Sequence, residues 1–177
     1  LIDTLPGIKR PAICASAPTY YGNVSLLDLG ANISCDANNF HQFGVLASMK
    51  CNLIDGIENP SIKLLNVGEE ANKGTKELKA AAKLFNEDKN LNYQGFIEGN
   101  NLFNDPVDVI VCDGFTGNVA LKTAEGVARL ATGIGADIVK QRFSLRLLSK
   151  IFTKSLDDFK NRLSPTQHNG AIFLGLN

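Results

Sequence analysis

The stretch Asp108-Val109-Ile110-Val111-Cys112-Asp113-Gly114-Phe115-Thr116-Gly117-Asn118-Val119-Ala120-Leu121-Lys122-Thr123-Ala124-Glu125 decides the fold. The apolar run from Val107 to Cys112 is too short for a helix and too continuous for a strand with one wet face. It fits a strand covered on both sides, as in a parallel sheet. A glycine turn follows, and then a helix opening at Asn118. A helix start at the mouth of such a sheet offers unpaired backbone N–H groups and partial positive charge, a combination suited to an anion.

The same strand–loop–helix unit recurs upstream. Leu26-Leu27-Asp28-Leu29 leads through Gly30-Ala31-Asn32 into a helix-like segment over residues 36–53, with Asp36 as its cap. Ile62-Lys63-Leu64-Leu65-Asn66-Val67 leads through Gly68-Glu69-Glu70-Ala71-Asn72-Lys73-Gly74-Thr75 into an alanine-rich helix over residues 76–85. Residues 12–15 and 93–97 read as further strands, the second followed by Glu98-Gly99-Asn100-Asn101. This alternation predicts a single α/β domain over residues 1–177: a doubly wound, mostly parallel sheet with right-handed crossovers and helices on both faces. Ligands of such sheets sit beyond the carboxyl ends of the strands, where the three loops gather. The glycines and asparagines of these loops suit either tight turns or close backbone approach to a ligand, and their repetition at one edge favours the ligand.

Composition narrows the function. With 44% hydrophobic and 20% charged residues, 177 residues are enough for one buried core. The formal net charge is zero and no basic stripe is interleaved with aromatics, so nucleic acid is not an expected partner. Cys14, Cys35, Cys51 and Cys112 form no C-x-x-C pair and read as reduced, partly buried thiols rather than metal or redox groups. No stretch has the length of a membrane span and no signal pattern opens the sequence, which points to the cytoplasm. Neither metal nor nucleotide nor other cofactor is expected. Gly68 and Lys73-Gly74-Thr75 have the ingredients of a P-loop in the wrong order, and Gly114-Phe115-Thr116-Gly117 lacks the dinucleotide fingerprint. There is no Gly-x-Ser-x-Gly elbow, and His41, beside Phe40 and Phe43, reads as packed or surface histidine.

Several ordered motifs together resemble the bacterial phosphate acyltransferases of phospholipid synthesis: residues 27–32, Gln42-Phe43, Asn59-Pro60, residues 64–70 with Lys73-Gly74, residues 112–118 with Leu121-Lys122-Thr123, and Asn169-Gly170-Ala171 with Leu174-Gly175-Leu176. The resemblance implies a Rossmann-like sheet of the phosphotransacetylase and isocitrate dehydrogenase kind, transfer of a fatty acyl group from acyl-acyl carrier protein to inorganic phosphate, and a homodimer. It also implies that these residues match an internal and C-terminal part of a longer chain. By resemblance Lys73 and Asn118 are the catalytic pair, with Asn32, Gly68, Gly74, Asp113, Gly114, Thr116 and Gly117 around the phosphate. Glu69 and Glu70 would repel an anion and are expected to bind lysine or backbone groups instead.

The chemistry asks little of a general acid or base. By analogy with a phosphoester whose second pKa is about 6, phosphate is already an oxygen nucleophile at neutral pH. A thiol with a pKa of about 8.5 leaves readily as thiolate. What remains is to hold an anion against a thioester and to stabilise the oxyanion formed on its carbonyl. Lys73 supplies a mobile positive charge and Asn118 an amide donor.

Residues 140–159 differ from the rest. Arg142, Arg146, Lys150 and Lys154 form one flank of a helix, and Phe143, Leu147, Leu148, Ile151 and Phe152 supply an adjoining apolar face. Such a segment either packs on its own core or a partner subunit, or lies in an anionic membrane surface. The family resemblance implies the latter: a projecting hairpin, residues 138–163, peripherally attached to the inner face of the plasma membrane. Two alternatives remain, a coenzyme A-dependent phosphotransacetylase-like enzyme and a non-catalytic module that holds carrier protein or membrane. The basic amphipathic segment argues against the first, because a short acyl product needs no membrane.

Overall fold

The computed structural model describes residues 3–141 and 170–177. They fall into two compact units, one within Leu1–Ala120 and Gly170–Asn177, the other within Leu121–Asn169. The first unit holds a six-stranded sheet. In chain order its elements are β1 (Ala12–Thr19), β2 (Gly22–Leu27), α1 (Ala37–Lys50), β3 (Ser61–Asn66), α2 (Lys76–Glu87), β4 (Asn92–Glu98) and β5 (Val109–Val111), with β6 (Ile172–Leu174) returning late. A long helix, α3 (Gly114–Gln141), opens in this unit directly after β5.

The strands lie in the order β4-β3-β5-β2-β1-β6. β4, β3, β5 and β2 run parallel to one another, while β1 pairs antiparallel with both β2 and β6. The sheet is therefore mixed, parallel in the half that carries the recurring units. The connections from β2 to β3 and from β3 to β4 move in one direction across the sheet, and α1 and α2 pack side by side on one face as right-handed crossovers require. The connection from β4 to β5 moves back. Ile62 and Leu64 face the helices, so the intervening Lys63 points to the other face. There its ammonium meets the Asp105 carboxylate at 2.7 Å, which places the return connection on that side.

Local chemistry starts the helices where the sequence suggests. The Asp36 carboxylate accepts the Asn39 N–H while the Asn39 side chain accepts the Asp36 N–H, a reciprocal cap that satisfies two donors at once. Thr75 Oγ1 caps α2 by accepting the Leu78 N–H. α1 ends in a single π-helical turn, Cys51–Asp55, closed by Gly56 at φ 72°. Between helices and sheet, Phe40, Phe43 and Ala47 of α1 and Leu78, Ala81 and Phe85 of α2 bury against Leu27, Ile62, Leu64, Val109 and Val111. Each larger side chain there contributes roughly 1.5–3 kcal/mol by leaving water. Gly44 lets the two helices close, since a Cβ there would collide with the Phe85 ring.

Candidate active site

Leu27 lies beside Val111 and Leu64 beside Val111 on its other side, so β2 and β5 end level and β3 runs two residues farther in the same direction. Strands about 4.8 Å apart deliver their following loops side by side. The loop after β2, the loop after β3 and the start of α3 therefore share one edge of the sheet, as the recurring sequence unit predicts.

The loop after β2 is organised by Asp28, which is 0% exposed. Its Oδ1 accepts the N–H groups of Ile13 at 2.9 Å, Gly30 at 3.2 Å and Ala31 at 3.1 Å. Its Oδ2 accepts the Asn32 N–H at 2.6 Å and the Asn32 Nδ2 at 2.8 Å. The second hydrogen of that amide goes to the Pro11 carbonyl at 2.8 Å. Asn32, expected to bind phosphate, thus spends both side-chain donors inside the protein. Asp28 is the residue that sequence reasoning passed over, although an Asp two residues before a Gly-Ala-Asn turn is placed to bond its own downstream backbone.

The start of α3 requires a correction. The helix opens at Gly114, not at Asn118, so the expected glycine turn is its first turn and Asn118 is its fifth residue. Two of the early N–H groups are already taken. Gly114 N–H donates to the Asn32 carbonyl at 2.7 Å, and Thr116 N–H to Asp113 Oδ1 at 2.8 Å. The Thr116 hydroxyl donates to Asp113 Oδ2 at 2.7 Å, so these two side chains cap the helix rather than stand free. A Cβ on Gly114 would lie 2.7 Å from the Asn32 carbonyl oxygen, and one on Gly117 would collide with the Asp28 carbonyl oxygen and sit 2.6 Å from Cys112 Sγ. The glycines are there so that loop and helix can touch. Asn118 is exposed, its side chain has no hydrogen-bond partner among the described residues, and it lies near the apex of the loop after β2: a Cβ on Gly30 would be 4.0 Å from its Cβ and Cγ.

The loop after β3 presents Lys73. Its N–H donates to the Glu70 carbonyl at 3.0 Å and its carbonyl accepts Asn66 Nδ2 at 3.3 Å, which fixes the backbone. Gly74, at φ 84°, takes a conformation that disfavours a side chain and would in any case drive a Cβ into the Asn66 amide. Gly68 leaves room for the Lys73 stem, whose Cγ would be 3.0 Å from a Cβ at that position. The Lys73 side chain is exposed and forms no ion pair with any described residue. Glu69 accepts Asn101 Nδ2 at 3.3 Å, a side-chain amide rather than the lysine or backbone group expected of it. Three large apolar side chains are exposed on these same segments: Ile33, Val67 and Phe115.

Elsewhere, His41 Nε2 lies 2.9 Å from the Asp88 carboxylate and the ring packs edge-on against Phe85. All four cysteines are free thiols, and Cys14, Cys51 and Cys112 are buried. Burial pushes Cys35 up to about 12, with help from the nearby charges of Asp28 and Asp113. Among the described residues no three His, Cys, Asp or Glu side chains come together to hold a metal ion, and no helix is long and apolar enough to cross a membrane. The expected hairpin contacts Phe143, Leu147, Leu148, Ile151 and Phe152 lie outside the described residues.

The family model described as fatty acid synthesis protein matches residues 1–177, the whole chain. The chain belongs to this family. Its members include the phosphate acyltransferases of Colwellia psychrerythraea, 47% identical over 99% of this chain, and of Alcanivorax borkumensis, 43% identical over 99%. The chain spans about half the length of these curated relatives, 51% and 52% respectively. Among solved structures, a phosphotransacetylase from Streptococcus pyogenes is similar over 99% of this chain and 48% of its own, with TM-score 0.57 and 16% identity. The EutD phosphotransacetylase of Staphylococcus aureus gives TM-score 0.54 over 70% of this chain and 44% of its own, also at 16% identity. At that identity the likeness is one of fold, and it agrees with the Rossmann-like α/β class the sequence predicts for the family.

Proposed function

We propose that the protein transfers a long-chain fatty acyl group from acyl-acyl carrier protein to inorganic phosphate, with Lys73 and Asn118 as its catalytic pair. One observation carries the reading: a cation on the loop after β3 and an amide in the early turns of α3, both side chains without a partner among the described residues, follow neighbouring strands at the carboxyl edge of the sheet in a member of this family. A phosphate oxygen attacks the thioester carbonyl carbon, a C–O bond forms, and the carbonyl electrons move onto oxygen. Collapse of that oxyanion breaks the C–S bond, and the thiolate leaves to take a proton from water. The Lys73 ammonium neutralises the incoming phosphate and the Asn118 amide donates to the charge that gathers beside it. The Asp113–Thr116 cap, with Gly68 and Gly74, shapes the floor. The exposed apolar side chains of Ile33, Val67 and Phe115 support an acyl substrate over a small polar one.

Lys73→Ala and Asn118→Ala are each expected to lower acyl phosphate formation at least 100-fold in the intact gene product, with unchanged circular dichroism. Near-normal turnover in both variants removes the assignment.

The family likeness further supports a homodimer attached peripherally to the inner face of the cytoplasmic membrane through Phe143, Leu147, Leu148, Ile151 and Phe152. Leu147→Glu with Ile151→Glu is expected to abolish flotation of the intact protein on anionic vesicles while leaving its dimeric mass in light scattering. Undiminished flotation, or a monomeric mass of the parent protein, rejects the corresponding half of this reading.

A further inference from the structure

We propose that Asp28 is a positioning residue for the reaction, acting through the loop at residues 28–32 to fix the Asn118 amide; this rests on the site reading given above. A carboxylate taken wholly out of water is costly unless its surroundings compensate it. Asp28 has no cation beside it among the described residues. Its compensation comes instead from five hydrogen bonds, four donated by backbone N–H groups and one by the Asn32 side chain. Those donors draw β1 and the whole apex of the loop onto one side chain.

The consequence passes directly to α3. The Asn32 carbonyl, held by this network, receives the first N–H of the helix, and the Asp28 carbonyl lies where a Cβ on Gly117 would be. Cys112 Sγ donates to the Asp28 carbonyl at 3.4 Å and locks the same junction from below. Asn118 lies beside Gly30, the residue whose N–H Asp28 holds, close enough that a Cβ on Gly30 would come within 4.0 Å of its side chain. An asparagine at position 28 would keep the size of the side chain but turn one acceptor into a donor facing donors. Loop and amide would shift together.

The test is a double-mutant cycle in the intact gene product, read by steady-state acyl phosphate formation. Asp28→Asn is expected to lower kcat about 100-fold, the scale of a displacement of about 1 Å in a catalytic group. The KM for phosphate is expected to stay within about threefold, because Lys73 lies on a different loop. In an Asn118→Ala background, Asp28→Asn is expected to lower the residual rate by less than about threefold, since its target is gone. Phe85→Leu, which loosens the core under α1 and α2 without touching this network, serves as the stability-matched control and is expected to keep its turnover. Should Asp28→Asn fail to fold, Asn32→Ala takes its place with a smaller expected loss and the same non-additivity. Equal losses in both backgrounds, or a loss no greater than that of Phe85→Leu at matched melting temperature, would overturn the proposal. A normal rate for Asn118→Ala alone would instead remove the underlying site and this proposal with it.

Discussion

Two glycines of α3 separate crowding from propensity at single-residue resolution. Gly117 has no room for a methyl group, whereas Gly126 faces open space with nothing within 4 Å of a Cβ. Gly117→Ala is expected to destabilise by about 1–3 kcal/mol through overpacking against Asp28 and Cys112. Gly126→Ala is expected to stabilise by up to about 1 kcal/mol, because alanine is the better helix former and nothing obstructs it. Urea unfolding of the two variants checks the pair; shifts of the same sign would refute the contact drawn from the helix start. The same contact explains why Gly114 and Gly117 look like ligand-binding glycines in the sequence. A glycine reports only that something comes close, and here the neighbour is the protein's own loop.

At the level of elements, the parallel half of the sheet was legible from residues alone. Val107 through Cys112, Ile62 through Val67 and the Asp36 cap carry strong local signals, and each marks an element within a few residues. The start of α3 was not legible at that precision. Two glycines in one turn weaken a helix, so the sequence places its opening at Asn118, while Asp113 capping Thr116 moves it to Gly114. The antiparallel hairpin of β1 and β2 was also missed as a hairpin. Its turn residues Tyr20 and Tyr21 are not the glycine and asparagine that advertise tight turns, and the pairing from Cys14 to Leu27 down to Thr19 and Gly22 is set by the sheet rather than the turn. Lys73 and Asn118 took their roles from family likeness; the structure adds that the loop of Lys73 and the start of α3 follow adjacent strands. Asp28 lay in plain view, but nothing in a linear sequence says that a carboxylate is buried.

Across the whole molecule, burial of thiols ties stability to alkaline pH. Burial raises Cys14 to about 11 and Cys35 to about 12 from an ordinary 9.0, and pushes Cys112 well above that value. The folded state therefore keeps protons that the unfolded chain releases above pH 9. This contribution is fully present below pH 9 and is lost as pH rises toward the folded values. For Cys14 alone the expected loss between pH 8 and pH 10 is about 1 kcal/mol. Denaturant melts of Cys14→Ala are expected to show a correspondingly flatter decline over that range; identical slopes for parent and variant would contradict the burial seen for this thiol.

The late return of β6 carries a consequence for biosynthesis. Its Ile172 pairs with Cys14, so the outer edge of β1 finds its partner only after more than 150 further residues have been made. At roughly 5–20 residues per second on the ribosome, that edge waits on the order of ten seconds or more with its amide and carbonyl groups unclaimed. During that interval the nascent chain offers a ready template to any stray strand, and a chaperone that shields it would act on residues 12–14 before β6 has been made.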